Sequence, residues 1–292
     1  MNEPKTEGTP GSESAPGSGS ADLSGSSTLD VRPSLFDVRP DIWSGLRRFT
    51  AARIALGRTG GSVPTRALLE FNLDQALARD AVHAPFEAER LAAELRAVPG
   101  MPEVVMLESA AGDRATYLQR PDLGRQLSAA AAARLAALTM ATPPDLVVIA
   151  SDGLSALAAH QQVPPLLTAL LPRLRAAGLT LAPVCVVRQA RVGLLGEIGA
   201  HFRARLALIL LGERPGLGTP DSLGAYFEFA PQPGRTNAER NCLSNIRPGG
   251  LPPASAAEKL AGLLGAAIAR GCSGIALKED GPPSALPAAD LL

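Results

Sequence analysis

Leu206-Ala207-Leu208-Ile209-Leu210-Leu211 runs directly into Gly212-Glu213-Arg214-Pro215-Gly216-Leu217-Gly218. An unbroken apolar run fits a strand covered on both faces, and the charged, Gly/Pro-rich turn after it lies where open α/β sheets bind ligands. The same grammar recurs on either side. Leu146 to Ala150 reads as a strand ending in Ser151-Asp152-Gly153-Leu154-Ser155. Pro164-Pro165 opens a helix closed by Gly178, Leu181 to Val187 forms the next strand, and a helix over Ile198 to Phe202 leads back to Leu206. Strands at Ala225–Phe229 and Ser273–Leu277 flank an Ala-rich helix from Pro253 to Ala269, and another helix runs from Asp122 to Ala141. The expected fold is therefore α/β, a doubly wound, mostly parallel, Rossmann-like sheet.

Upstream the pattern is different. Residues 1–33 are rich in Gly, Ser, Pro, Glu and Thr with little to bury, and read as a disordered tail. Residues 34–112 read as a small helical subdomain. Asp41 caps a helix that Gly57 ends, and a second helix from Ser62 or Thr65 places Leu69, Leu73, Ala76 and Leu77 on one face. The α/β domain then spans 113–280, with a short C-terminal tail at 281–292.

Composition narrows the function. Twenty-eight basic residues balance twenty-eight acidic ones, with no basic run longer than Arg47-Arg48, which argues against nucleic acid and anionic lipid as partners. No apolar stretch is long enough to span a bilayer, and three cysteines without CxxC spacing fit a reducing, cytoplasmic compartment. His83, His160 and His201 lie far apart, so no metal site is expected. Neither a phosphate-binding P-loop nor a complete G-x-G-x-x-G occurs.

Two polar features remain. Glu213, at a strand end, can accept from a ligand's amide or hydroxyl groups, or can pair with Arg214. Arg235, Asn237, Glu239, Arg240, Asn241, Ser244, Asn245 and Arg247 fall within thirteen positions and read as a recognition loop. Ser151-Asp152-Gly153 serves equally well as a ligand turn or as an ordinary helix cap. On residues alone, a stand-alone enzyme with Cys242 as nucleophile and a non-catalytic assembly subunit both stay open.

Five segments in order resemble one family: Leu46 to Gly61, Tyr117 to Arg125, Ser151 to Ser155, Gly212 to Leu217, and Arg240 to Ile246. The likeness is to the small subunit of ethanolamine ammonia-lyase and runs from about Asp41 to Lys278. It implies an adenosylcobalamin-dependent lyase that converts ethanolamine to acetaldehyde and ammonia by radical chemistry. It also implies a hetero-oligomer in which a large subunit holds the substrate while this chain grips the cobalamin from the other side, with no catalytic residue of its own. Carried over residue by residue, the cofactor contacts are Val192, Glu213 and Cys242. No D-x-H-x-x-G run occurs, so cobalamin is expected base-on. Trp43 and Arg47-Arg48 are the expected contacts to the large subunit. An ethanolamine-utilisation microcompartment is the alternative address to open cytoplasm, although the tail lacks the apolar stripe of a targeting helix.

Overall fold

The computed structural model describes residues 41–277, so the expected tails at 1–33 and 281–292 lie outside the described residues. Contacts divide the chain into two units, Met1–Pro64 and Thr65–Leu292. In the first, the helix expected from Asp41 shrinks to a 3-10 turn at Ser44–Phe49, entered through a Trp43 N–H bond to the Asp41 carboxylate. It stops because Thr50 is extended and its hydroxyl accepts the Ala52 N–H, a local bond that competes with helix continuation.

In the second unit, helices α1 (Thr65–His83), α2 (Ala88–Arg96), α3 (Arg114–Gln119), α4 (Ala129–Ala136), α5 (Ala156–Ala176), α6 (Leu194–Phe202) and α7 (Pro253–Arg270) accompany six strands. These are β1 (Val104–Glu108), β2 (Leu146–Ser151), β3 (Val184–Arg188), β4 (Leu206–Gly212), β5 (Leu223–Phe229) and β6 (Arg240–Ile246), in spatial order β1-β3-β2-β4-β5-β6. The first four in that order are parallel, and β5 and β6 add antiparallel. The sheet is thus mixed. Where a helical subdomain to residue 112 was expected, β1 and α2 instead belong to this sheet and its core.

Alternation along the central strands explains their apolar runs. Leu146, Val148, Ala150, Leu206, Leu208 and Leu210 enter a core shared with α2, α5 and α7; Val147, Ile149, Ala207, Ile209 and Leu211 enter another shared with α4 and α6. Both faces are dry, so both parities are apolar. α5 begins not at Pro164 but at Ala156, where the Ser155 hydroxyl accepts the Ala158 N–H. Burial of Ala158, Ala159, Gln162 and Val163 holds the turns before the prolines, although each proline removes an i→i−4 bond.

Three expectations change. The helix over Asp122–Ala141 breaks into a 3-10 turn at Leu123–Arg125 and the short α4, because the Ser128 hydroxyl caps a new start at Ala131 N–H. The last strand is a 3-10 turn at Gly274–Ala276, and the recognition loop is β6.

Both sheet edges are closed by side chains and loops. On β1, the Arg96 guanidinium donates to Val104 O, Arg134 to Met106 O and the Ser128 N–H to Glu108 O. Beyond β6, Asn241 donates to Gly274 O and Leu277 O and accepts the Gly274 N–H. Among the described residues no helix is long and apolar enough to cross a membrane.

Candidate cofactor site

The carboxyl ends of β2, β3 and β4 form one wall. At the end of β2 the chain turns through Gly153 (φ 50°), where a Cβ would lie 2.4 Å from Gly212 O, so only glycine fits against β4. Leu154 N–H bonds Gly212 O at 2.8 Å, and the Ser155 hydroxyl, besides capping α5, donates to Pro220 O. The cap reading holds for Ser155 but not for Asp152.

Asp152 is buried and faces inward, toward the end of β3. Its carboxylate accepts from the Gln189 N–H at 2.7 Å, the Ser151 hydroxyl at 3.0 Å and Arg114 Nη1 at 2.9 Å. Burial pushes the Asp152 carboxyl up, opposed by the Arg114 guanidinium, the Gln189 N–H and the Ser151 hydroxyl. The Ser151 hydroxyl in turn accepts the Ala190 N–H, and the Tyr117 hydroxyl donates to Ala190 O. These bonds hold Gln189 in a left-handed conformation (φ 58°) and aim the next residues, Arg191 and Val192, at the cavity.

Tyr117 is fully buried, and its phenol is pushed up to about 12 by burial. Two cations approach its ring, with Arg191 Cζ at 4.2 Å and Arg114 Cζ at 5.1 Å from the centroid. Arg191 Nη2 also donates to Tyr117 O.

Glu213 ends β4 opposite Ser222 and does not pair with Arg214. Its carboxylate accepts from the Ser222 hydroxyl (2.5 Å), the Ser244 hydroxyl (2.5 Å) and the Asn245 N–H (3.0 Å). Three donors leave room for about one more on a carboxylate. Gly224 makes the space, since a Cβ there would come within 2.9 Å of Glu213 Oε1.

These elements enclose a cavity of about 470 Å³, with Leu154, Val192 and Leu211 as apolar wall and Glu213, Tyr226 and Arg191 as polar groups. A larger one, about 1100 Å³, adjoins it across Arg191 and Val192. Of the residues expected at the site, Val192 and Glu213 share the first cavity. Cys242 sits exposed on β6, opposite Tyr226 in register, and reaches the cavity only through a bond with the Tyr226 hydroxyl. Desolvation beside Tyr226 raises the thiol, the bond from the Tyr226 hydroxyl opposes the shift, and the Glu213 carboxylate adds to it. A thiol so raised is a poor nucleophile. No imidazole serves it, since His160 accepts the Glu87 N–H, His201 bonds Leu138 O, and His83 ends α1.

The polar cluster at 235–247 is wiring more than recognition. Arg240, nearly buried, pairs with the fully buried Glu228 at 2.8 Å. Asn241 holds the 274–277 turn, Ser244 and Asn245 bind Glu213, and Arg247 bonds Asn245 and faces Asp221 at 3.5 Å. An edge strand needs side chains to satisfy and cover its neighbours, and that need, read along the sequence, looks like a binding loop. Arg191 and Tyr226 belong to no motif in the sequence, and only the fold brings them to one cavity. Position was the available signal for Arg191, the last polar residue before Val192. Among the described residues, no group of three or more His, Cys, Asp or Glu could hold a metal ion.

The arrangement sets an apolar wall beside a few fixed polar groups, and among the described residues it offers no nucleophile paired with a base. The family model of the ethanolamine ammonia-lyase light chain matches residues 40–278. The ethanolamine ammonia-lyase small subunit of Bradyrhizobium diazoefficiens is 53% identical over 236 residues, covering 80% of this chain and 89% of that one. That of Azotobacter vinelandii is 52% identical over 240 residues (82% and 88%), and that of Ralstonia nicotianae 50% over 239 (81% and 88%). With half of the aligned residues identical over nearly nine tenths of the length of these relatives, the chain belongs to the ethanolamine ammonia-lyase light-chain family.

Proposed function

We propose that this chain is the small subunit of a two-subunit ethanolamine ammonia-lyase and holds one flank of adenosylcobalamin while a large subunit carries the substrate. The family supports the reaction, ethanolamine to acetaldehyde and ammonia. The observation that carries the role is the paired cavities at the carboxyl ends of β2, β3 and β4, apolar at Leu154, Val192 and Leu211 and fixed in polarity at Glu213. A corrinoid is a broad apolar disc fringed with neutral amides, and such walls suit it. When bound, the cofactor supplies the radical that starts the reaction. The chain's own groups bind and orient: Val192 gives van der Waals surface, Glu213 a rigid acceptor for an amide N–H, and Cys242 steadies Tyr226 from behind. The parallel half of the sheet, with helices on both faces, supports a doubly wound, Rossmann-like reading of the fold. Three free cysteines fit a reducing cytoplasm, with a microcompartment as the alternative address.

The test is co-expression with a large subunit, pull-down, and ethanolamine deamination with and without adenosylcobalamin. Activity and a cobalamin absorbance change that both need this chain are expected. Assembly with cofactor binding unaltered by this chain would leave it a scaffold. Base-on binding predicts that EPR of the cob(II)alamin state shows no nitrogen coupling from a protein imidazole.

A further inference from the structure

The larger cavity is built around two arginines that the site described above leaves without anionic partners. Segments 122–126 and 190–193 cross there, joined by the Arg191 N–H bond to Gly124 O at 2.7 Å. Each contributes a glycine that seats the other's arginine. A Cβ on Gly124 would lie 2.7 Å from Arg191 Cγ, and one on Gly193 would lie 3.0 to 3.4 Å from Arg125 Cγ, Cβ and Cδ. Gly124 is buried. Two side-chain stems are thus held in place with their guanidinium groups at one cavity.

The charges around that cavity otherwise cancel locally. Arg240 pairs with Glu228, Arg235 lies 3.5 Å from Glu239, and Asp122 pairs with Arg120. Glu197 also lines the cavity and accepts the Leu127 N–H. Arg191 has no carboxylate partner, and its Nε is buried without any hydrogen-bond acceptor. The exposed Arg125 side chain has no hydrogen-bond or ion-pair partner among the described residues, its backbone N–H alone bonding Asp122 O. A buried guanidinium N–H lacking an acceptor is costly, and a second free guanidinium beside it calls for an oxyanion with several acceptor oxygens.

We propose that the larger cavity is an anion subsite in which Arg125 and Arg191 hold a phosphodiester, the single anionic group of the corrinoid whose disc occupies the neighbouring cavity. This rests on the cofactor reading above and extends it from disc to tether. Arg191, shared by both cavities and stacked on Tyr117, is the hinge between the two halves of the ligand.

The experiment measures dissociation constants of the co-purified two-subunit complex for aquocobalamin and for aquocobinamide, which keeps the corrin and lacks the phosphodiester, ribose and base. Arg125→Gln is expected to weaken cobalamin about tenfold, the scale of one charge-assisted hydrogen bond, and to leave cobinamide unchanged. Arg191→Lys, which keeps charge but loses the fork, should weaken cobalamin as well, and because Arg191 also lines the disc cavity its effect on cobinamide is not used to judge the proposal. Equal weakening of both corrinoids by Arg125→Gln would make these arginines general supports and overturn the proposal. Unchanged binding of both by Arg125→Gln, with loss of inorganic phosphate binding seen by phosphorus NMR, would mean that the cavity holds a free anion instead. If the unsubstituted complex bound neither corrinoid, the cofactor reading itself would fall. Arg125→Gln keeps the stem carbons that pack against Gly193 and breaks no side-chain hydrogen bond or ion pair, so the fold is expected to stand.

Discussion

Glu213 shows how one side chain can be both structural pin and ligand acceptor. Its three donors come from the loop before β5 and from β6, so the carboxylate closes the antiparallel half of the sheet at the cavity mouth. Glu213→Ala strands the nearly buried Ser222 hydroxyl along with two more exposed donors, and should cost about 2 kcal/mol of stability. Ser244→Ala, which removes one solvent-facing donor, should cost well under about 1 kcal/mol. Urea unfolding at unchanged slope checks both, and equal stability of Glu213→Ala and the parent would leave Glu213 with a ligand role alone. Asp145 offers a titration test. Burial would raise its carboxyl, but the Thr180 N–H and hydroxyl and the Arg205 guanidinium together hold it below the ordinary aspartate range. A depressed folded value means that its contribution is complete above the unfolded pKa of about 4 and is lost as pH falls through the lower folded value. Asp145→Asn should therefore be less stable at pH 7 and show a shallower decline in stability below pH 4, read from melts across that range.

At the scale of elements, α5 is the clearest case of packing over propensity. Pro164 and Pro165 stand in mid-helix, but Leu166, Leu167, Leu170, Leu171 and Leu174 beyond them are buried, and four of these five tie the second half to the core shared with α2 and α7. Pro165 is exposed, so Pro165→Ala restores a backbone donor to Gln161 O without touching the core. It should raise stability by about 1 kcal/mol or more, visible as a higher urea midpoint. This helix also shows what the sequence conceals. Read locally, two prolines begin a helix; only the burial of Ala158, Gln162 and Val163 moves the start back to Ser155. β2, β3, β4 and α7 were legible because strands dry on both faces and a helix bounded by Pro253 and Gly271 write their own signatures. β1 was not, being a short edge strand that ends in the exposed Glu108, nor β6, whose half-exposed polar residues serve partners elsewhere in the chain. For the site, Glu213 was legible as a residue at a strand end and Val192 only through the family resemblance, whereas the setting of both was not. Tyr117 and Arg114 lie some seventy residues from Val192, and only the fold brings them to the turn that presents it.

For the whole molecule, the closed sheet edges carry a further meaning. In the role proposed above, this chain would spend part of its life without its partner. A bare outer strand in that interval is a template for copies of itself. The guanidinium groups of Arg96 and Arg134 occupy the carbonyls of β1 that a neighbouring strand would seek, and at the end of β6 the Leu251 N–H takes Asn245 O while the Arg247 N–H is held by Leu251 O. Arg96→Ala with Arg134→Ala should leave ligand binding alone yet make the isolated chain associate increasingly with concentration in light scattering, while the parent stays monodisperse. Surplus small subunit can then wait as a reserve, and an excess of one message over the other need not end in insoluble protein.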